Sequence, residues 1–198
     1  MVTQFNRTAS DDARLQLDLL PEPFQGSVSA PVVLLGLNPG VSKEDASIHA
    51  QPGFHRILRA TLAHEAVPYP FYLLNPEVLG PGREWWDRKL ASVLKAVPRQ
   101  VVSERLLSIE YAPYHSRRFG HPAMVLPSQH YGFHLLRQAM GRGAVVVLMR
   151  GRRLWYAAVP ELQSYAKHYT LQSVQNVTIS QKNCPMGFQP LLAALGQA

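Results

Sequence analysis

The chain of 198 residues contains a single cysteine, Cys184, which excludes an internal disulfide and a cysteine-rich metal site. No apolar run approaches the length of about 18 residues that a transmembrane helix needs. The N-terminal sequence "MVTQFNRTASDDARLQ" lacks the apolar core of a signal peptide, so we expect a cytoplasmic protein that does not bind membranes. Charged residues make up only 17% of the chain and apolar residues 46%, which indicates a globular fold.

Acidic residues are scarce relative to basic ones. The chain has 13 Asp and Glu against 20 Lys and Arg, which gives a net charge of +7. This balance favours polyanionic partners, so we expect the partner to be nucleic acid, DNA in the first place, including single-stranded DNA. A solvated basic surface without such a partner is the alternative. We assign residues 1–30 to an N-terminal arm and residues 31–198 to one domain.

Short apolar runs alternate with amphipathic segments along the chain. The predicted strands are 31–37, 105–112, 144–150 and 174–180, with a further short strand or extended segment at 71–75. The predicted helices are 53–66, 83–97, 128–143, 151–159 and 187–198. This order predicts an α/β fold with a central, mainly parallel four-stranded sheet that is covered on both faces. In such folds ligands bind at the carboxyl ends of the strands.

The first strand runs into the segment "VVLLGLNPGVSKED" (32–45). A phosphate-binding GxxxxGK[ST] loop is excluded, because Val41 and Ser42 separate the second glycine from the lysine. Glycines on either side of the asparagine allow the backbone to approach a ligand closely. Two interpretations of Asn38 stay open: its amide faces a ligand pocket, or it only closes the turn between strand and helix.

The stretch "LLGLNPG" resembles the first signature of the uracil-DNA glycosylase superfamily. It is closest to the mismatch-specific uracil/thymine branch, and "IHAQPGFHRILRATL" (48–62) is similar to the His-Pro loop and helix of that branch. Three further segments resemble a bacterial side branch of the superfamily: "FYLLNPEVLGPGREWWDRKL" (71–90), "IEYAPYHSRRF" (109–119) and "VTISQKNCPMGF" (177–188).

The resemblance implies a three-layer αβα sandwich that binds a deaminated or damaged base and hydrolyses its bond to the sugar without a metal or other cofactor. The base leaves the stack and enters a pocket. The predicted catalytic residues are Asn38, Asn183 and His115, which follows a strand end and can donate or relay a proton; the predicted pocket residues are Gly36, Leu37, Pro39, Gly40, Phe54, Tyr114 and Ser116. Structural alternatives stay open for three of them: a helix cap or turn for Asn183, a loop anchor for Tyr114 and a solvated loop histidine for His115.

Two departures from the superfamily weaken the expected activity. An amide cannot accept a proton, so Asn38 orients water without deprotonating it, and we expect a slow enzyme. The last loop has no histidine, and Cys184, Pro185 and Met186 replace the small polar residues that wedge the DNA. Three functions therefore stay open: a glycosylase, a non-catalytic binder of a base or nucleic acid, and a component of a repair or defence system.

The segment "MRGRRLW" is the predicted phosphate site. Gly151 lies at a strand-to-helix junction, where backbone N–H groups and the helix dipole attract anions. Arg150, Arg152 and Arg153 add forked donors. The alternative is an exposed basic turn. In the 83–97 segment, Trp86 is predicted to be core and Trp85 to lie at the edge of the apolar stripe.

Overall fold

The computed structural model describes residues 1–120 and 125–196. Its strands are β1 (Phe24–Gly26), β2 (Val32–Leu35), β3 (Leu106–Ile109), β4 (Val145–Leu148) and β5 (His168–Thr170). Its helices are α1 (Val2–Thr8), α2 (Asp45–His49), α3 (Pro52–Leu62), α4 (Pro81–Lys89), α5 (Ala91–Ala96), α6 (Arg99–Arg105), α7 (Pro127–Gly141), α8 (Arg152–Ala158) and α9 (Phe188–Gly196). Short 3-10 turns occupy Asp11–Ala13, Tyr72–Leu74 and Pro160–Ser164. None of the helices in these ranges is long and apolar enough to cross a bilayer.

The strands form one sheet in the order β1-β3-β2-β4-β5. Strands β3, β2, β4 and β5 are parallel, and β1 pairs antiparallel with β3. The predicted α/β class and mainly parallel sheet are confirmed, but the predicted number of four strands is wrong. The additional strand β1 lies in the segment assigned to the arm. Three residues are too few to show an alternating pattern, and only the pairing with β3 makes this segment a strand.

Both faces of the sheet are buried. Val32 and Leu34 of β2 belong to one apolar cluster, and the alternating Val33 and Leu35 belong to a second cluster. Side chains of α3, α4, α5, α6 and α9 join the first cluster, and side chains of α7 and α8 join the second. The continuous apolar run "VVLL" is explained by this two-sided burial, which parallel strands typically show.

The predicted last strand, 174–180, is wrong. The strand next to β4 is β5, and 174–180 forms a loop in which Val177 and Ile179 are buried in the first cluster. The Ile179 amide donates to the Lys89 carbonyl at 2.8 Å instead of to a strand. Alternating apolar residues in this segment therefore reflect a loop that inserts two side chains into the core.

Two other segments also differ from their prediction. Residues 71–75 contain the 3-10 turn Tyr72–Leu74 and no strand, because all three of its side chains are buried in the first cluster and none alternates outward. The single helix predicted for 83–97 is divided into α4 and α5 at Leu90, whose φ of −100° and ψ of 8° leave the helical range. The amphipathic period continues across the break, so the sequence pattern does not reveal it.

The topology brings four chain segments to one edge of the sheet. Parallel strands β2, β3 and β4 end at this edge, and the residues that follow include Asn38, Glu110 and Arg150. Because β1 runs antiparallel to β3, its beginning lies at the same edge. Glu22, two residues before β1, therefore reaches the carboxyl ends of the parallel strands.

Candidate functional site at the carboxyl ends of the strands

A cavity of about 360 Å³ opens at this edge of the sheet. Its volume falls within the range typical of small-molecule sites. The walls combine aromatic rings with charged and amide side chains. The lining residues include Glu22, Gln25, Asn38, His49, Phe54, Tyr72, Trp85, Glu110, His115, Ser116, Arg117 and Arg150.

Unpaired polar atoms concentrate at this cavity. Five buried side-chain polar atoms of the described residues lack a hydrogen-bond partner, and four of them belong to the cavity-lining Gln25, His49, Glu110 and His115. Native proteins pair nearly all such atoms, since each unpaired one costs about 1–3 kcal/mol. Their clustering in one place indicates a cavity that receives polar ligands or water.

The side-chain amide of Asn38 is fixed through its nitrogen. Nδ2 donates to the Pro39 carbonyl and to Ser116 Oγ, at 2.9 Å each. The Ser116 amide in turn donates to the same Pro39 carbonyl at 3.3 Å. Both amide hydrogens are therefore committed, and Oδ1 receives no hydrogen bond from the described residues. The oxygen that remains can accept a hydrogen bond from water or from a ligand.

The backbone around Asn38 is held on two sides. The Gly36 carbonyl accepts a hydrogen bond from Trp155 Nε1 at 2.9 Å, and the Leu37 carbonyl accepts one from the Ala112 amide at 2.7 Å. A Cβ atom on Gly36 would lie 2.2 Å from a carboxylate oxygen of Glu110, so any other residue here would require the Glu110 carboxylate to move. The first glycine of the motif therefore makes room for an acidic side chain at the end of β3.

A second polar group surrounds the carboxylate of Glu22. Tyr72 Oη and Gln25 Nε2 both donate to Glu22 Oε2 at 2.6 Å. The other oxygen, Oε1, lies 3.3 Å from His115 Nε2 and 3.5 Å from His49 Nε2. We call Glu22, His49 and His115 the Glu22 cluster.

His115 connects the Glu22 cluster to the motif. Its Nδ1 lies 2.7 Å from the Gly40 carbonyl, an acceptor, so Nδ1 carries the hydrogen and donates it. Both ring nitrogens therefore face groups of the protein: Gly40 on one side and Glu22 on the other. The ring of His49 stands edge-on to that of His115, with centroids 5.1 Å apart.

The Glu22 cluster shifts the pKa values of its members. Burial opposes the charged forms, but the contact with His115 outweighs it and lowers the pKa of Glu22. For the same reason the pKa of His115 is raised: burial lowers it, and the neighbouring Glu22 carboxylate more than compensates. Burial prevails at His49, whose pKa is lowered, and it raises the pKa of Tyr72 well above its ordinary value.

Glu110 is the second carboxyl group of the cavity, and it has no ion-pair partner among the described residues. Burial, aided by the negative charge of Glu22, raises its pKa to about 7, although Arg150 and His115 act in the opposite direction. Near neutral pH this carboxyl is therefore protonated in about half of the molecules. A protonated carboxyl can donate a hydrogen bond as well as accept one.

The structure brings most of the predicted site residues together. Those that line the cavity are Asn38, Leu37, Pro39, Gly40, Phe54, His115, Ser116 and Arg150. Gly36 lies directly behind them, against Glu110. The lining does not include the half-buried Tyr114, Gly151 and Asn183 or the exposed Arg152 and Arg153.

Asn183 holds its own loop together. Its Oδ1 accepts from the Ser173 amide at 2.7 Å, and its Nδ2 donates to the carbonyls of Ser173, Asn176 and Thr178. The predicted contact of Asn183 with a leaving base is therefore not supported by its geometry. Every polar atom of the side chain is used to order 173–178, the segment that replaces the predicted last strand.

The predicted phosphate site is only partly assembled. Arg150 lines the cavity and donates to the carbonyls of Val174 and Gln175, whereas Arg152 and Arg153 are exposed. Gly151 has a φ of 72°, and a Cβ atom there would lie 2.4 Å from Leu37. Its role is thus to let the chain turn closely past the motif. Because α8 has only seven residues, its dipole adds little to an anion site.

Several lining residues are absent from the sequence-based prediction, among them Glu22, His49, Tyr72 and Trp85. Glu22 is missing from the predicted site because its segment is assigned to the arm. Tyr72 is missing because its segment is predicted to be a strand or extended segment. Trp85 was placed at the edge of the apolar stripe, and it does lie between core and cavity. The sequence offers two indications: a glutamate among prolines in "PEPFQG", and a histidine three residues before the helix start at Pro52.

Comparisons of the chain with models of protein families, with curated proteins and with solved structures find no match.

Proposed function

We propose that the protein is a uracil-DNA glycosylase-like protein with a three-layer αβα sandwich. It binds a deaminated or damaged nucleobase of nucleic acid, DNA foremost, and hydrolyses the bond between base and sugar slowly and without a metal. We place this activity in the cytoplasm. The observation that carries the proposal is Asn38, whose amide is fixed through Nδ2 while Oδ1 stays available beside the cavity.

The cavity suits a planar, polar ring. Phe54 and Trp85 supply apolar walls, and Phe54 packs edge-on against Tyr72 with centroids 5.7 Å apart. Aromatic side chains favour bases because every base offers a flat face for stacking. The unpaired polar atoms of Gln25 and Glu110 offer hydrogen bonds to the ring edge once it displaces water.

The chemical step follows from the position of Asn38. A water molecule donates one hydrogen to Asn38 Oδ1 and directs its oxygen at the sugar carbon C1′ of an extruded nucleotide. The bond from C1′ to the base nitrogen breaks, and the base leaves with the electron pair. The water oxygen stays on the sugar, and its proton passes to solvent or to the base. Orientation alone lowers the barrier less than proton abstraction does, which explains the slow rate.

Three arginines of the cavity lining suit a nucleic-acid backbone. Arg83, Arg117 and Arg150 line the cavity, and Arg117 is exposed. Arginines bind phosphate oxygens with two parallel hydrogen bonds and without regard to sequence. We therefore expect binding that weakens as the salt concentration rises.

The alternative function is that of a binder that does not cleave. It is favoured because neither of the two predicted donors to the leaving base is free: Asn183 is committed to its loop, and both ring nitrogens of His115 face the protein. In that case His115 is a positioning residue that ties Gly40 to Glu22, and the cavity serves for recognition alone.

The test uses oligonucleotides that contain uracil, hypoxanthine or xanthine, single-stranded and double-stranded, with abasic sites as the readout. Abasic product that is lost in Asn38→Ala and kept in Asn75→Ala supports the enzyme. Asn75 is a suitable control because it is half-buried, accepts one local hydrogen bond from Glu77 and lies outside the cavity lining. Salt-dependent binding without abasic product supports the non-catalytic binder. Binding to nucleic acid no tighter than about 10⁻⁴ M would overturn both.

A further inference from the structure

The Glu22 cluster has the composition and the spacing of a metal site. It offers one carboxylate oxygen and two imidazole nitrogens, which all lie within 4.8 Å of one another. All three residues are buried, with exposed fractions of 5%, 8% and 4% for Glu22, His49 and His115. They also line the cavity, so a ligand from solvent can reach them.

Two of the three distances within the cluster fit a shared ion better than direct hydrogen bonds, and the third pair of ligand atoms, those of His49 and His115, lies within 4.8 Å. Ligand atoms about 2.0–2.1 Å from a tetrahedral metal ion stand about 3.3–3.4 Å apart. Glu22 Oε1 lies 3.3 Å from His115 Nε2 and 3.5 Å from His49 Nε2. A hydrogen bond between imidazolium and carboxylate is shorter, about 2.7–2.9 Å. His115 Nε2 accordingly has no hydrogen-bond partner.

The surrounding hydrogen bonds orient two of the three ligand atoms and leave their lone pairs available to an ion. The Gly40 carbonyl fixes the hydrogen of His115 on Nδ1, so the lone pair of the neutral ring is on Nε2 and faces Glu22 Oε1. Tyr72 and Gln25 satisfy Oε2 of the carboxylate and leave Oε1 to the interior of the cluster. Such outer contacts are typical of metal-binding histidines and carboxylates. His49 lacks one, because its Nδ1 is buried without a partner.

We propose that Glu22, His49 and His115 bind one divalent first-row transition-metal ion, of which Zn²⁺ is the type that two imidazoles and a carboxylate favour. With three protein ligands, a fourth position stays open toward the cavity, as in catalytic rather than structural zinc sites. This inference goes beyond the proposed function, whose hydrolytic step depends on Asn38 and does not pass through the cluster.

The direct test titrates the untagged, full-length protein with Co²⁺ and Zn²⁺ after removal of metals by a chelator, in the absence of nucleic acid. We expect one equivalent of Co²⁺ to bind with the intense visible absorption of four-coordinate cobalt, and Zn²⁺ to displace it. Failure of base cleavage does not affect this result, so the two proposals fail separately.

Variants locate the ion. We expect His115→Ala and Glu22→Gln to weaken binding at least about 100-fold, and Tyr72→Phe, which removes only an outer contact, to weaken it about 10-fold. The control His130→Ala removes an exposed histidine of α7 and leaves affinity unchanged. Circular dichroism checks that each variant is folded. If the ligand variants do not fold, Tyr72→Phe still tests the proposal, because it keeps the aromatic ring and its packing.

Three results would overturn the proposal. The first is wild-type protein that takes up no stoichiometric Co²⁺. The second is a cobalt spectrum that is unchanged in folded His115→Ala. The third is equal loss of affinity in the exposed control. In any of these cases the cluster is a proton-linked ion pair between Glu22 and His115 and no metal site.

Discussion

Asn38 and Asn183 are two asparagines that both lie in loops leading to a helix, yet the structure uses them in opposite ways. The side chain of Asn183 makes four hydrogen bonds to residues 173–178, and none of its polar atoms is left over. Asn38 makes two hydrogen bonds, both through Nδ2, and keeps its oxygen for the cavity.

The same contrast extends to the surroundings. Around the cavity, polar atoms of Gln25, His49, Glu110 and His115 are buried without partners, whereas the loop held by Asn183 satisfies its carbonyls internally. Unpaired polar groups cost stability, and proteins keep them mainly where a ligand will pair with them. A residue type therefore indicates a site only when its hydrogen-bonding capacity is left partly unused.

The largest expected effect of a single substitution concerns Asn38. If Asn38→Ala removes the group that orients water, the rate of abasic-site formation falls about 100-fold, at the lower end of the range for positioned catalytic groups. The melting temperature changes little, because only two hydrogen bonds of a half-buried side chain are lost. A gel assay for abasic sites and a thermal melt measure the two effects. If Asn38→Ala loses stability and keeps its cleavage rate, Asn38 has the structural role that we assign to Asn183.

The second prediction concerns Glu110 and the pH. Its pKa is about 7 in the folded protein and 4.5 ordinarily, so between these values the folded state binds more protons than the unfolded chain. The free energy of unfolding therefore falls as pH rises through this window, by at most about 3 kcal/mol. Urea unfolding of wild type and Glu110→Gln at pH 4.5 and pH 7.5 isolates the effect.

The difference between wild type and Glu110→Gln is needed because other groups titrate nearby. Glu22, Arg150 and His115 all act on the Glu110 carboxyl. The raised pKa of His115 adds a loss of stability as pH rises through that pKa, and the lowered pKa of His49 has the opposite sign. If the two proteins show parallel pH profiles, Glu110 is not buried as the structure has it.

The third prediction concerns Asn183. Asn183→Ala removes four hydrogen bonds from a partly buried loop, and we expect it to cost about 2 kcal/mol of unfolding free energy. Base cleavage by the variant, measured well below its melting temperature, is expected to stay within about twofold of wild type, since no polar atom of Asn183 faces the cavity. If Asn183→Ala is as stable as wild type but does not cleave, Asn183 acts in the catalytic site and this prediction is wrong.

The smallest expected effect compares two arginines that the sequence treats alike. Arg150 lines the cavity and bonds to the carbonyls of Val174 and Gln175, and Arg153 is exposed on α8. Arg150→Ala is expected to weaken binding to nucleic acid and to lower the slope of log affinity against log salt by about one. Arg153→Ala is expected to change the slope less. Equal slopes would assign both residues to the same phosphate surface.

Local sequence patterns predict the elements whose signal spans only a few residues. The apolar run of β2, the run of β4 and the amphipathic periods of α3, α7, α8 and α9 each appear within a few turns of chain, and the structure contains them. The turn at Asn38 was also readable, because glycine and proline restrict the backbone through their own covalent structure.

Which side chains come together in the site depends instead on how the strands and helices pack. The Glu22 cluster joins the beginning of β1, the end of α2 and the loop after β3, segments that are far apart along the chain. No periodicity marks such residues, since their proximity results from the antiparallel pairing of β1 with β3. The role of Asn38 depends on the tertiary structure too, because its partner Ser116 is 78 residues away along the chain. Asn183 differs, since its partners lie 5 to 10 residues earlier in its own loop.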